Sequence, residues 1–136
     1  MKNVLIFLFV LLADQTTKCF AVTNMNWHVN TGISFGLFPN FPMWIFFALV
    51  FLMFCLKVVY RIEFDLKWSL FMAGVSGNLI DRIRFRYVVD WIPLPFPFFG
   101  SLHVNIADIA LITGFICFIF DGLKKSSQEE PDQRYH

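Results

Sequence analysis

Charge is scarce in this chain. Only 15% of its 136 residues are Asp, Glu, Lys or Arg, where a soluble domain carries about 25%. The formal net charge is +1, so nothing electrostatic points to nucleic acid. Cysteines number three. Cys19, Cys55 and Cys117 all fall in apolar stretches, and an odd number so placed excludes a disulfide framework. They read as buried small apolar residues. His28 and His103 lack the spacing of a zinc motif, so no metal and no other cofactor is expected. What remains abundant is apolar: 57% of residues are hydrophobic, with 19 Phe. A single all-α membrane domain is the expectation.

A bilayer-spanning helix needs about 20 mostly apolar residues. Candidate spans occur at 4–22, 42–60, 67–83 and 105–123, a four-helix reading. Lys2 followed by an apolar run resembles a signal peptide, but Asp14 and Lys18 interrupt the region where cleavage would fall. The first segment is therefore read as a retained helix. The first, third and fourth segments carry polar residues and should face one another. The second carries almost none before Lys57 and should face lipid. Lys2, Lys57, Arg61, Lys67, Lys124 and Lys125 share one side of such a bundle. The positive-inside rule makes that side, with both termini, cytoplasmic. Arg82, Arg84 and Arg86 run against the rule and suit pairing with acids or lipid phosphate. Residues 1–125 form the domain, and 126–136 read as a disordered cytoplasmic tail.

Five aspartates lie in or beside these apolar segments: Asp14, Asp81, Asp90, Asp108 and Asp121. An ionised acid at the centre of a bilayer helix costs about 2.5–3.5 kcal/mol on insertion scales. Such groups need compensation or a function. Asp14 and Lys18 stand at i, i+4 and can neutralise each other. Gly74, Asn78, Asp81 and Arg82 share one helical face, where Gly74 and Gly77 permit close helix approach. Asn105 and Asp108 stand at i, i+3 in a first helical turn. Asp108 there reads either as a charge favoured by the helix dipole or as a reacting acid. Asp90 reads either as a turn residue or as its partner. Two nearby carboxylates share one proton. The ionised member can then activate water while the protonated one polarises a peptide carbonyl.

Three other functions compete for these residues. Gly74-Val75-Ser76-Gly77 is similar to the serine motif of rhomboid proteases, with His103 as base, but four spans are too few for that fold. A small proton- or ion-coupled transport component would use Asp and Lys as relay groups. A structural helical subunit would use them as a polar knot.

Five blocks in order carry a more specific resemblance. They are Asp14-Gln15-Thr16-Thr17-Lys18, Asn30-Thr31-Gly32-Ile33-Ser34-Phe35-Gly36, Gly74-Val75-Ser76-Gly77-Asn78-Leu79-Ile80-Asp81-Arg82, Val88-Val89-Asp90-Trp91 and Asn105-Ile106-Ala107-Asp108. Together they resemble the lipoprotein, or type II, signal peptidases of bacteria. The resemblance implies an aspartic protease of the inner membrane, cutting diacylglyceryl-modified prolipoproteins before the lipidated cysteine. It implies that Asp90 and Asp108 are catalytic. It makes Asp14, Lys18, Asn30, Gly74, Asn78, Asp81, Arg82, Asn105 and Ala107 supporting or substrate-binding residues. It also implies inhibition by globomycin-like cyclic peptides, a small periplasmic β-element over 23–41, and a mobile loop within 84–104; a monomer in membrane lipid is a separate expectation. The chain departs from the family pattern at Ile33, Ser34, Trp91 and Val104.

Overall fold

The computed structural model describes residues 1–32, 43–61, 63–96 and 100–129. Four helices carry the fold: α1 (Lys2–Asn24), α2 (Met43–Val59), α3 (Leu66–Phe85) and α4 (Ile106–Glu129). Their bounds lie within a few residues of the apolar segments, except that α4 runs on to Glu129, into the stretch read as tail. Ile33, Ser34 and the second half of the expected 23–41 element, residues 33–41, lie outside the described residues.

Local chemistry sets the helix ends. Asp65 caps α3 by accepting from the Trp68 N–H at 3.1 Å. Arg86 ends it in the left-handed region, at φ 67°, its N–H bonded to the Arg82 carbonyl. Asn105 and Asp108 close a reciprocal cap on α4. The Asp108 N–H donates to Asn105 Oδ1 at 2.8 Å, and the Asn105 N–H donates to Asp108 Oδ2 at 3.3 Å. That is the geometry of a capping box.

α3 is the central element, packed against α4 and α1. Two glycines of α3 and one of α4 permit the approach. A Cβ on Gly74 would collide with the Ala107 carbonyl, and one on Gly114 would lie 2.7 Å from the Phe71 N–H. Below this contact Trp68, Phe71 and Val75 form the apolar core, with Phe118 set edge-on to Trp68 at 5.0 Å. α2 flanks this cluster, its Lys57 ammonium 5.3 Å from the Phe64 ring centroid. Phe51, Leu52 and Phe54 of α2 point outward, Phe51 at 68% exposure.

The α1 and α4 segments Lys2–Asn24 and Ile106–Lys125 are long and apolar enough to cross a membrane by length and composition. Among the described residues α2 has 17 residues, and α3 carries Lys67, Asp81, Arg82 and Arg84 along its 20. Cys19 is exposed rather than buried, because it lies on an outward flank of α1.

Two small sheets cap one end of the helices. β1 (His28–Asn30) pairs antiparallel with β2 (Val88–Asp90), placing His28 opposite Asp90. β3 (Ile92–Phe96) pairs with β4 (Gly100–Val104), Ile92 opposite Val104. Prolines 93 and 95 exclude a helix here, as the sequence indicates. They are tolerated in β3 because its other edge is unpaired within the two-stranded sheet.

Candidate active site

The first and second β-segments, the end of α3 and the start of α4 meet at one point, and Asp90 and Asp108 lie there. Both are buried, at 1% and 2% exposure. Asp90 leaves β2 and accepts one side-chain amide on each oxygen: Asn105 Nδ2 at 2.6 Å and Asn30 Nδ2 at 2.8 Å. Asp108 accepts from Asn78 Nδ2 at 2.7 Å and from the Asn105 N–H. Asn105 therefore touches both carboxylates, one through its side chain and one through its backbone. Its amide also reaches Asn78 Oδ1 at 3.1 Å. Three asparagines thus hold two acids in register.

Burial pushes the Asp90 carboxyl up to about 7, and the nearby Asp108 charge pushes the same way. The amides of Asn30 and Asn105 favour the ionised form and only partly offset this. Asp90 is thus poised to hold a proton near neutrality.

A second layer of charge lies behind the first. Lys18, 3% exposed, places its ammonium 2.8 Å from Asp14 and 3.0 Å from Asp81. It also donates to Asn78 Oδ1 at 3.0 Å, which turns the Asn78 amide toward Asp108. Asp14 accepts from the Ala107 N–H at 2.9 Å, in the first turn of α4. Asp81 accepts from the Val89 N–H at 3.2 Å, steadying the strand that carries Asp90. The cation bridged to Asp81 is Lys18, not its sequence neighbour Arg82. Adjacent residues on a helix do not face each other. Arg82 instead donates to the Gly32 carbonyl at 2.8 Å, and the Gly32 N–H donates to Asn30 Oδ1 at 3.0 Å. Arg82 therefore holds the turn that aims Asn30 at Asp90.

The residues that the resemblance makes catalytic, supporting or substrate-binding thus fall in or against this cluster. Gly74 and Ala107 do so through packing: Ala107 is fully buried, and its carbonyl lies over Gly74. Gln15 was missed. Its amide donates to Asp14, to the Gly77 carbonyl and to Asp81 at 3.1–3.2 Å. The available signal was its place beside Asp14 in the first block. Asp121 lies at the opposite end, exposed and bonded to Lys67. His103 stacks on His28 with ring centroids 5.2 Å apart, where a base for Ser76 is not what it forms. Among the described residues no group of three or more His, Cys, Asp or Glu is arranged to hold a metal ion.

Known proteins share this arrangement of sequence and fold. A profile of the signal peptidase (SPase) II family matches residues 6–124. The lipoprotein signal peptidase of Thermodesulfovibrio yellowstonii is 33% identical over 134 residues, spanning 85% of this chain and 90% of that protein. That of Bacillus velezensis is 30% identical, spanning 91% and 97%. That of Serratia marcescens is 35% identical, spanning 79% and 71%. A bacterial membrane enzyme solved by the in meso method superposes with a TM-score of 0.81 at 28% identity, covering 98% of this chain and 94% of that one. With its apolar, outward-facing helices, the chain is a membrane protein, and it belongs to the signal peptidase II family of peptidases.

Proposed function

We propose that this protein is an aspartic endopeptidase that removes the signal peptide from diacylglyceryl-modified prolipoproteins, cutting before the lipidated cysteine. Family membership supports the substrate. One observation supports the aspartic chemistry: two buried carboxylates, Asp90 and Asp108, are joined through Asn105.

The pair holds one proton at neutral pH and titrates as a unit. Asp90 carries that proton, in keeping with its raised pKa. Asp108, ionised, takes a proton from water, and the water oxygen bonds to the scissile carbonyl carbon. The Asp90 hydroxyl hydrogen-bonds the carbonyl oxygen, which takes that proton as the tetrahedral intermediate forms. On collapse Asp108 delivers its proton to the leaving nitrogen, and Asp90 recovers one from an intermediate hydroxyl. No metal or cofactor enters this scheme. Asn30, Asn78 and Asn105 orient the acids. Asp14, Lys18, Asp81 and Arg82 hold the elements that carry them, and Gly74 and Ala107 supply the close helix contact.

In this reading four helices span the bacterial inner membrane as one monomeric domain over 1–125. Both termini are cytoplasmic, and the two small sheets lie on the periplasmic side. A diacylglyceryl cysteine enters sideways from lipid, because its acyl chains prefer hydrocarbon. A globomycin-like cyclic peptide would compete for the same groove. Purified protein incubated with diacylglyceryl-modified prolipoprotein and followed by gel shift tests the function. The expected result is loss of the signal peptide from the modified precursor and slow cleavage of the unmodified one. Equal cleavage of both would defeat the lipid-dependent part, and no cleavage of either would defeat the whole.

A further inference from the structure

Trp91 follows Asp90 directly and is used by none of the steps above. Its backbone N–H donates to the Val104 carbonyl at 3.1 Å. The indole is therefore rooted where the chain carrying Asp90 crosses the chain leading into Asn105 and Asp108. The ring is half-buried, yet its Nε1–H is buried and has no hydrogen-bond acceptor among the described residues. It is the one buried side-chain donor in that condition among them. A Trp serving as a membrane-interface anchor keeps its N–H toward water or headgroups. This one is turned inward. Buried donors are nearly always paired, and an exception calls for a cause.

We infer that the Trp91 indole N–H is a substrate-recognition donor, completed when a carbonyl oxygen of the bound prolipoprotein reaches it. A substrate stretched across Asp90 and Asp108 passes this crossing. It brings carbonyls of two kinds: those of its peptide backbone and those of the diacylglyceryl esters. Both present the same acceptor. The inference rests on the peptidase function proposed above.

The test compares wild type with Trp91→Phe, which keeps an aromatic ring and removes the donor. Turnover of the diacylglyceryl substrate by wild type tests the proposed function itself, and its absence would sink both readings. With wild type active, Trp91→Phe is expected to raise KM about five-fold, the equivalent of one neutral hydrogen bond, with kcat nearly unchanged. An ether-linked substrate lacking the ester carbonyls separates the two sources. A KM effect that persists assigns the acceptor to the peptide, and one that vanishes assigns it to the lipid esters. Unchanged KM on both substrates would overturn the inference. Should Trp91→Phe fold poorly, the indole ¹H–¹⁵N resonance of Trp91 decides. It is assigned by elimination using Phe variants of Trp27, Trp44 and Trp68, in the Asp108→Asn protein saturated with substrate. A downfield proton shift on binding supports the inference, and a resonance that binding leaves in place refutes it.

Discussion

Lys18 sits between two acids that would otherwise repel each other in a buried place. Its ammonium lies within 3.0 Å of both Asp14 and Asp81. Removing one member of a buried charge group leaves the rest uncompensated, at a cost of about 3–5 kcal/mol. Lys18→Met should therefore lower thermal stability sharply in detergent, measured by unfolding of the purified variant, and lower activity with it. Asp90 makes a different prediction, because its pKa is raised from 3.8 to about 7. Below pH 4 the acid is protonated folded and unfolded alike, and it has no effect on stability. Between about 4 and 7 the unfolded chain ionises while the folded one keeps its proton, so stability falls as pH rises. Above 7 both forms are ionised and the penalty stays constant. Wild type should lose thermal stability from pH 5 to 8 more steeply than Asp90→Asn. A parallel pair of curves would show that Asp90 is not the group. Activity should fall on the alkaline side with an apparent pKa near 7, as the shared proton is lost. The residue pairs that spacing alone made legible were those within one helical segment. Asp14 with Lys18 and Asn105 with Asp108 follow from helical spacing and capping. Asp81 with Lys18 and Asn30 with Asp90 join residues about sixty positions apart, which spacing cannot pair.

At the scale of elements, the α3 contacts with α1 and α4 depend on residues with no side chain to spare. A Cβ on Gly77 would lie 2.6 Å from Asp14 Oδ2 and 3.0 Å from Ala107 Cβ. Gly77→Ala should destabilise the protein by about 1–3 kcal/mol, in the manner of overpacking. It should also loosen Asp14 from the start of α4. Unfolding midpoints of the variant and wild type would measure this, and an unchanged midpoint would contradict the close packing. At the end of α3, Arg86 holds φ 67°, a conformation glycine adopts without a Cβ penalty. Arg86→Gly should leave activity intact and raise stability by about 1 kcal/mol. The helices were readable as apolar runs. The strands were less so: β1 falls within the β-element expected over 23–41, but β1 and β2 have three residues each, too short for alternation to show. The prolines of β3 argued against helix without indicating a strand. Gly114 carries no sequence signal of its close contact with Phe71.

For the whole molecule, Asp14, Asp81, Asp90 and Asp108 gather beneath the two small sheets, while Asp65 and Asp121 pair with Lys67 at the other end of the helices. That grouping and the family match do not favour a transport component, whose relay groups would run through the bilayer depth. The proposed orientation puts 57–67 in the cytoplasm and the sheets outside. In a cysteine-free background, Asn26→Cys should react with an impermeant thiol reagent in intact cells and Glu63→Cys should not; the reverse pattern would invert the topology. The central claim is that Asp90 and Asp108 together cut the prolipoprotein. Its most direct test is mass spectrometry of the products formed from a diacylglyceryl-modified prolipoprotein by wild type, Asp90→Asn and Asp108→Asn, each shown to be folded. Wild type should release a protein beginning at the lipidated cysteine, and each variant should leave the precursor intact. Robust turnover by either folded variant, or a cut elsewhere in the precursor, would contradict it.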